Sequence, residues 1–321
     1  MITHEHAYIA VGFFFAGAAI LSILDRANAR RILNFLFWGL LATSFFAGSH
    51  LGDLGNGILV VGLVIVGAIG LGHGKPTTTT PEQRRESALS RGDLLFLPAL
   101  VIPAVALLGT LAVNSTSWGP QLIEKDAAST TFICLALGTL ISVAILMIWL
   151  RPPLLAPLQE GRRLLDSVGW AAILPQMLAA LGAVFVADGV GDQVGHVISQ
   201  YIPLNTPSLA VATYCLGMAL FTVIMGNAFA AFPVMTAGVG FPVIVHHFGG
   251  NAVVVGAIGM LAGYCGTLMT PMAANFNVVP ANLLELPDRN AALNGVIRAQ
   301  IPTALALLAV NIVLMRVLAF R

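Results

Sequence analysis

The chain has 321 residues, of which 58% are hydrophobic and 9% charged, and its mean hydropathy is +0.90. Soluble domains carry about 25% charged residues, so this chain lacks the charge to cover a water-facing surface. A net charge of +1 offers no basic field for nucleic acid. Transmembrane β-barrels show alternating segments of about ten residues, which are missing. The expectation is an all-α polytopic membrane protein embedded in a lipid bilayer.

"MITHEHA" holds no Lys or Arg, so no basic region precedes the first apolar run, and Ala7 to Leu24 is expected to stay as a span rather than leave as a signal peptide. Four more runs come after it, at about 33–51, 55–72, 94–113 and 130–150. The links at 25–31, 73–93 and 151–166 hold ten of the fifteen basic residues, while the links between them hold only Lys125. Basic links stay inside. This puts the N-terminus outside and the basic links in the cytoplasm. "TTTTPEQRRESALSRG" then reads as a cytoplasmic connector with a short amphipathic piece. The division expected is a five-span region at 1–150, a Pro/Arg-rich cytoplasmic linker at 151–166, and a transport region at 167–321 ending in the cytoplasm.

The second half has a different grain. From Leu164 to Asp288 there is no Lys or Arg, and the apolar runs are cut repeatedly by Gly, Pro, Asn and Thr. In 167–203 a run of about twenty apolar residues, with a polar kink expected at Pro175 and Gln176, ends at Asp188 and "GVGD", and an amphipathic leg comes next. This pattern predicts a helical hairpin or a surface helix. Asp188 is a candidate functional carboxylate, because intramembrane acids are expensive; an N-cap for the second leg is the alternative. In 225–250, Gly226 and Asn227 fall where a span should end, and Pro233, Gly238, Gly240 and Pro242 are expected to break the stretch after them. In 265–280, "CGTLMTPMAANFNVVP" places Thr267, Thr270, Asn275 and Asn277 around Pro271. Proline removes a backbone donor and clashes with the preceding turn. Broken backbone at membrane depth persists only where protein or a wet cavity satisfies it.

A pair of Gly/Pro-interrupted apolar segments points to a transporter site. Half-helix N-termini offer N–H groups to an anion. Unwound carbonyls with Asn and Thr oxygens suit a small hard cation. Nothing basic lies in these segments and Arg298 is the one nearby candidate for charge pairing, so a substrate with one carboxylate fits better than one needing an arginine clamp. The fold expected is about eight to ten transmembrane segments, including broken helices and re-entrant hairpins.

"LPQMLAALGAVF…GVGD", "GNAFAAFPVMTAGVG" and "GTLMTPMAANFNVVPANLLEL" together resemble the bacterial two-component 5-oxoproline (pyroglutamate) permeases, a family similar to the ion-transporter superfamily. The resemblance covers most of the chain and is most specific over 226–286. It implies a cation-coupled permease for a small monocarboxylate such as 5-oxoproline, possessing elevator-type motion and a second, smaller integral membrane subunit. It implies substrate binding by Asn227, Thr267, Thr270, Asn275 and Asn277. Asp188, Gly226, Thr236 and Gly266 are the candidates for coupling ion to substrate. No resident cofactor or metal is expected, only co-transported Na⁺ or H⁺.

Two other classes compete. An intramembrane enzyme would need a nucleophile with its base or a ligand cluster; G-x-S-x-G and H-E-x-x-H are absent, the histidines are scattered, and Cys134, Cys215 and Cys265 read as small core residues. No P-loop is present to drive transport with ATP. A non-transporting subunit of a membrane complex is the stronger alternative, although a scaffold has no need of polar breaks.

Overall fold

The computed structural model describes residues 2–74, 79–116, 119–123, 126–284 and 289–321, and at 81, 120, 127, 128, 274, 275, 282, 283, 289 and 290 the backbone only. The chain is an all-α polytopic membrane protein. Among the described residues the one β contact is an isolated parallel bridge between Ile2 and Ile123. Eight helical stretches there are long and apolar enough to cross a membrane, and Arg31–Ala47 and Ala252–Leu268 are apolar but shorter. The chain divides into two compact units, Met1–Gly169 and Trp170–Arg321.

The first unit contains α1 (His4–Leu24), α2 (Arg31–Ala47), α3 (Gly52–Ile69), α4 (Pro81–Arg91), α5 (Leu97–Ser115), α6 (Gly119–Leu122), α7 (Ala127–Leu150) and α8 (Ala156–Val168). Aromatic side chains fill the α1–α2 seam: Phe15 stacks on Trp38 and Phe45 with centroids 5.9 and 5.5 Å apart. Between α5 and α7 the glycines Gly109 and Gly138 let the backbones close up, and Ser142 Oγ donates to the Pro98 carbonyl at 2.6 Å. The amphipathic piece expected in the connector is α4. It starts with a capping box in which Thr80 Oγ1 accepts from the Gln83 N–H and Gln83 Oε1 accepts from the Thr80 N–H.

The stretch 151–166, read from sequence as a linker, contains most of α8, which packs on α1 through Leu158 against Gly17 and Gly161 against Phe14. A polar knot forms where the ends of α1 and α3 meet α2 and α8. Arg162 pairs with Asp25 at 2.9 Å and donates to the Leu21 carbonyl at 2.6 Å. Asn34 donates to Asp166 Oδ1 at 3.0 Å and to the Gly72 carbonyl at 2.7 Å, while the N–H of Gly72 donates back to Asn34 Oδ1. Gly74 N–H donates to Asp166 Oδ2 at 3.2 Å. Asn34, Arg162 and Asp166 are all buried. Charges survive burial when each has partners of this kind.

The second unit contains α9 (Leu174–Ala187), α10 (Val190–Tyr201), α11 (Pro207–Met225), α12 (Ala228–Met235), a π-helical segment Thr236–His247, α13 (Ala252–Leu268), a short π-helical turn Ala274–Val278, α14 (Val279–Leu283) and α15 (Arg289–Leu318). Its core is the α11–α13–α15 contact, where Tyr214, Cys215, Met218, Val255, Ala262, Ala304 and Met315 are sealed. Within a membrane, lipid is as apolar as leucine, so close packing rather than removal from water drives helix association. The residues obey that rule. Gly259, Gly263 and Gly266 put the α13 backbone against Tyr214, Met218 and Ala219 of α11.

The α9–α10 hairpin has the two legs expected for 167–203, and two details differ from the sequence reading. Pro175 starts α9 rather than kinking it; at the first turn its missing N–H costs nothing. The N-cap of α10 is Gly189, at φ +66°, while Asp188 ends α9. The hairpin lies on the next segment through glycine. Gly182 faces the backbone of Phe229 and Ala230, and Gly191 and Gly195 face Gly238. The expectation that Pro233 and Pro242 break 228–247 is also corrected. That stretch is continuous helix, and it passes Pro242 in π-helical form, whose i→i+5 pattern is the local adjustment that tolerates a missing donor.

Candidate functional site

Two true breaks remain, and they meet. α11 stops at Gly226, whose φ of +80° is open to glycine at no cost. Asn227 then caps α12, its Oδ1 accepting from the Phe229 N–H at 2.7 Å. α13 stops at Leu268, and the chain turns through Thr270–Pro271 before the next helical turn. A Cβ on Gly226 would sit 2.7 Å from the Cβ and 2.9 Å from the carbonyl oxygen of Met272. Thr270 Oγ1 donates to the Val223 carbonyl at 2.9 Å, one turn before the end of α11. The first break is thus stitched to the second by a glycine contact and a threonine bond.

A small pocket of about 30 Å³ opens beside this junction. Asn227 and Thr267 are polar in its lining, α9 contributes Leu174, Pro175 and Leu178, and Phe229, Tyr264 and Phe276 supply aromatic surface, with the Tyr264 hydroxyl as a further polar group. Among the described lining residues none is Lys, Arg, Asp or Glu. The volume has room for about one or two waters and lies well below the ~300 Å³ of a typical small-molecule site, so the pocket is too small for such a ligand in this form.

The structure sorts the expected site residues into groups. Asn227, Thr267 and Gly226 line the pocket. Thr267 is buried, with its hydroxyl donating to the Tyr264 carbonyl at 2.6 Å. Asn227 keeps its amide NH₂ without a protein partner among the described residues. Thr270 and Asn277 lie behind this layer rather than in the lining. The Asn277 amide nitrogen donates to the carbonyls of Thr267 and Thr270 at 2.9 and 2.7 Å, closing off the end of α13. Asn277 Oδ1 is fully buried and accepts no bond among the described residues. A buried acceptor left unmade costs about 1–3 kcal/mol, so this oxygen is one of the most exacting polar atoms of the junction. The side chain of Asn275 lies outside the described residues.

Asp188, Thr236 and Gly266 are not brought to the pocket. Asp188 is exposed at the hairpin turn. Thr236 is buried and bonded to the Tyr214 hydroxyl at 2.9 Å. Gly266 serves the α11–α13 contact, where a Cβ would run into the Ala219 carbonyl. Arg298 is exposed on α15 and does not line the pocket. No cluster of three or more His, Cys, Asp or Glu residues occurs among the described residues.

Sequence reasoning missed the three rings, Thr222 and Gln300. Thr222 sits against Gly266 with its hydroxyl buried and unpartnered. Gln300 Nε2 reaches the Phe276 carbonyl at 3.4 Å, tying α15 to the second break. Inside apolar runs, only the offset between a break and the rings beside it could have singled these positions out.

A family model described as "Protein of unknown function (DUF979)" matches residues 5–320. The chain belongs to this family. The match spans both units, so the junction at 226–277 falls within the family's own extent. No curated protein and no solved structure matches the chain.

Proposed function

We propose that this membrane protein is a secondary transporter subunit that moves a small monocarboxylate, with 5-oxoproline as the leading candidate, coupled to Na⁺ or H⁺. The carrying observation is the pocket at the meeting of two helix breaks, polar at Asn227 and Thr267, with no charged side chain among its described lining residues and mostly apolar otherwise. One carboxylate can be held by the N-terminal N–H groups and dipole of α12, and an asparagine amide matches a lactam's adjacent donor and acceptor. Asn277 Oδ1, buried and unpartnered beside the carbonyls of Thr267 and Thr270, supports a cation-coupled reading. If the amide turns over, its oxygen joins those two carbonyls in a set of the kind hard cations take.

Transport in this scheme requires the pocket to widen, and we assign it an elevator-type movement. The setting we assign is a bacterial inner membrane, with the N-terminus periplasmic, the C-terminus cytoplasmic and a second, smaller membrane subunit as partner.

Uptake of labelled 5-oxoproline into proteoliposomes tests the reading. This chain, its partner and the pair are reconstituted separately, each under an imposed Na⁺ or H⁺ gradient. Gradient-driven uptake that needs this chain supports it. Full uptake by the partner alone would make this chain a non-transporting subunit, and no uptake in any arrangement would remove the substrate.

A further inference from the structure

We infer that the aromatic wall formed by Phe229, Tyr264 and Phe276 sets the substrate selectivity of this pocket, favouring acids with a rigid, flat body over flexible open-chain acids. The inference rests on the transport reading and assigns residues that the sequence reading left in the apolar background.

The three rings come from three different elements and converge on one cavity. Phe229 lies in the first turn of α12, Tyr264 in the last turns of α13, and Phe276 in the turn after the second break. Tyr264 is the hub. Its ring centroid lies 6.3 Å from Phe229, nearly perpendicular at 85°, and 5.9 Å from Phe276 at 38°. Phe229 and Phe276 are 40% and 39% exposed, so both rings keep surface that packing does not cover.

Their placement is tied to the polar groups of the pocket. The Phe229 N–H is the donor that Asn227 Oδ1 accepts. The Tyr264 carbonyl is the acceptor that the Thr267 hydroxyl uses. Asn227 and Thr267 are thus each bonded to the backbone of an aromatic wall residue. A group held by Asn227 or Thr267 consequently has its body set against the rings.

With no charged side chain among the described lining residues, shape and stiffness are what the wall offers for selection. Aromatic faces favour stacked or edge contact with flat groups. A rigid body also avoids the entropy that a flexible chain loses when it is immobilised.

The test is competition for 5-oxoproline uptake in the reconstituted arrangement that proves active. Cyclopentanecarboxylate and hexanoate are the competitors; they carry the same number of carbons and one carboxylate, and differ chiefly in ring closure. The wild type should be inhibited about tenfold more strongly by the ring acid, an amount equal to one decade of affinity. Tyr264→Leu and Phe276→Leu should bring the two competitors to within about threefold of each other, while Tyr264→Phe keeps the preference. Equal inhibition of the wild type, or an unchanged ratio in both leucine variants, overturns the inference and leaves the transport reading intact. Absence of 5-oxoproline uptake by the wild type overturns both. If Tyr264→Leu yields no folded protein, Phe276→Leu carries the decision.

Discussion

Asn227 and Asn277 look alike in the sequence and are put to opposite uses. Asn227 faces the cavity with an idle NH₂ group, whereas Asn277 spends both amide hydrogens on carbonyls and leaves its oxygen idle. Asn227→Ala should abolish uptake while leaving the protein folded, because a lost N-cap costs only about 1 kcal/mol; retained uptake at normal expression would end its assignment to substrate. Asn277→Asp makes the sharper test. An aspartate has no hydrogens for the Thr267 and Thr270 carbonyls, so the variant needs a bridging cation to hold the end of α13. Its thermal unfolding should become more Na⁺-dependent than that of the wild type when Na⁺ is exchanged for N-methylglucamine. Equal dependence in the two proteins would mean that no cation sits at this oxygen.

At the scale of elements, the α9–α10 hairpin meets the 228–247 helix through glycine. Adding a methyl at Gly195 would bring it 2.5 Å from the Gly238 carbonyl oxygen, whereas the space around Gly39 in α2 is open for 4 Å. Gly195→Ala is expected to loosen α10, raising hydrogen exchange of the 190–201 amides and slowing uptake. Gly39→Ala should do neither. Unchanged exchange in Gly195→Ala would show that the hairpin adapts without cost.

The breaks at Gly226–Asn227 and Thr270–Pro271 were legible in the sequence because Gly, Asn and Pro act on their own backbone. The fate of Pro175, Pro233 and Pro242 was not. A proline can start a helix, be absorbed by a π-helical stretch, or break the chain, and packing by other segments decides which. The rings of Phe229, Tyr264 and Phe276 were hidden for a related reason: an aromatic residue in an apolar run has the same local signature whether it fills a core or lines a cavity.

For the whole molecule, the two units carry different burdens. The candidate pocket lies within Trp170–Arg321, and the buried knot of Asp25, Asn34, Arg162 and Asp166 lies within Met1–Gly169. The knot could not be read in advance, since Asn34 and Asp166 are 132 residues apart. Asp166→Ala strands the Gly74 N–H and one donor of Asn34, and should cost about 2–6 kcal/mol at about 1–3 kcal/mol for each stranded group. A lower unfolding temperature with an unchanged KM for uptake is the expected pair of results. A raised KM with normal stability would place the first unit in substrate recognition.

The contact between Gly226 and Met272 also bears on how this protein can diverge. The first break has room for no side chain because the second fills the space. The obstacle includes the backbone of Met272, and the φ of +80° at Gly226 disfavours any side chain. Among descendants of this chain, glycine should therefore persist at 226 for as long as the second break lies against the first, so that the two breaks are inherited as one trait.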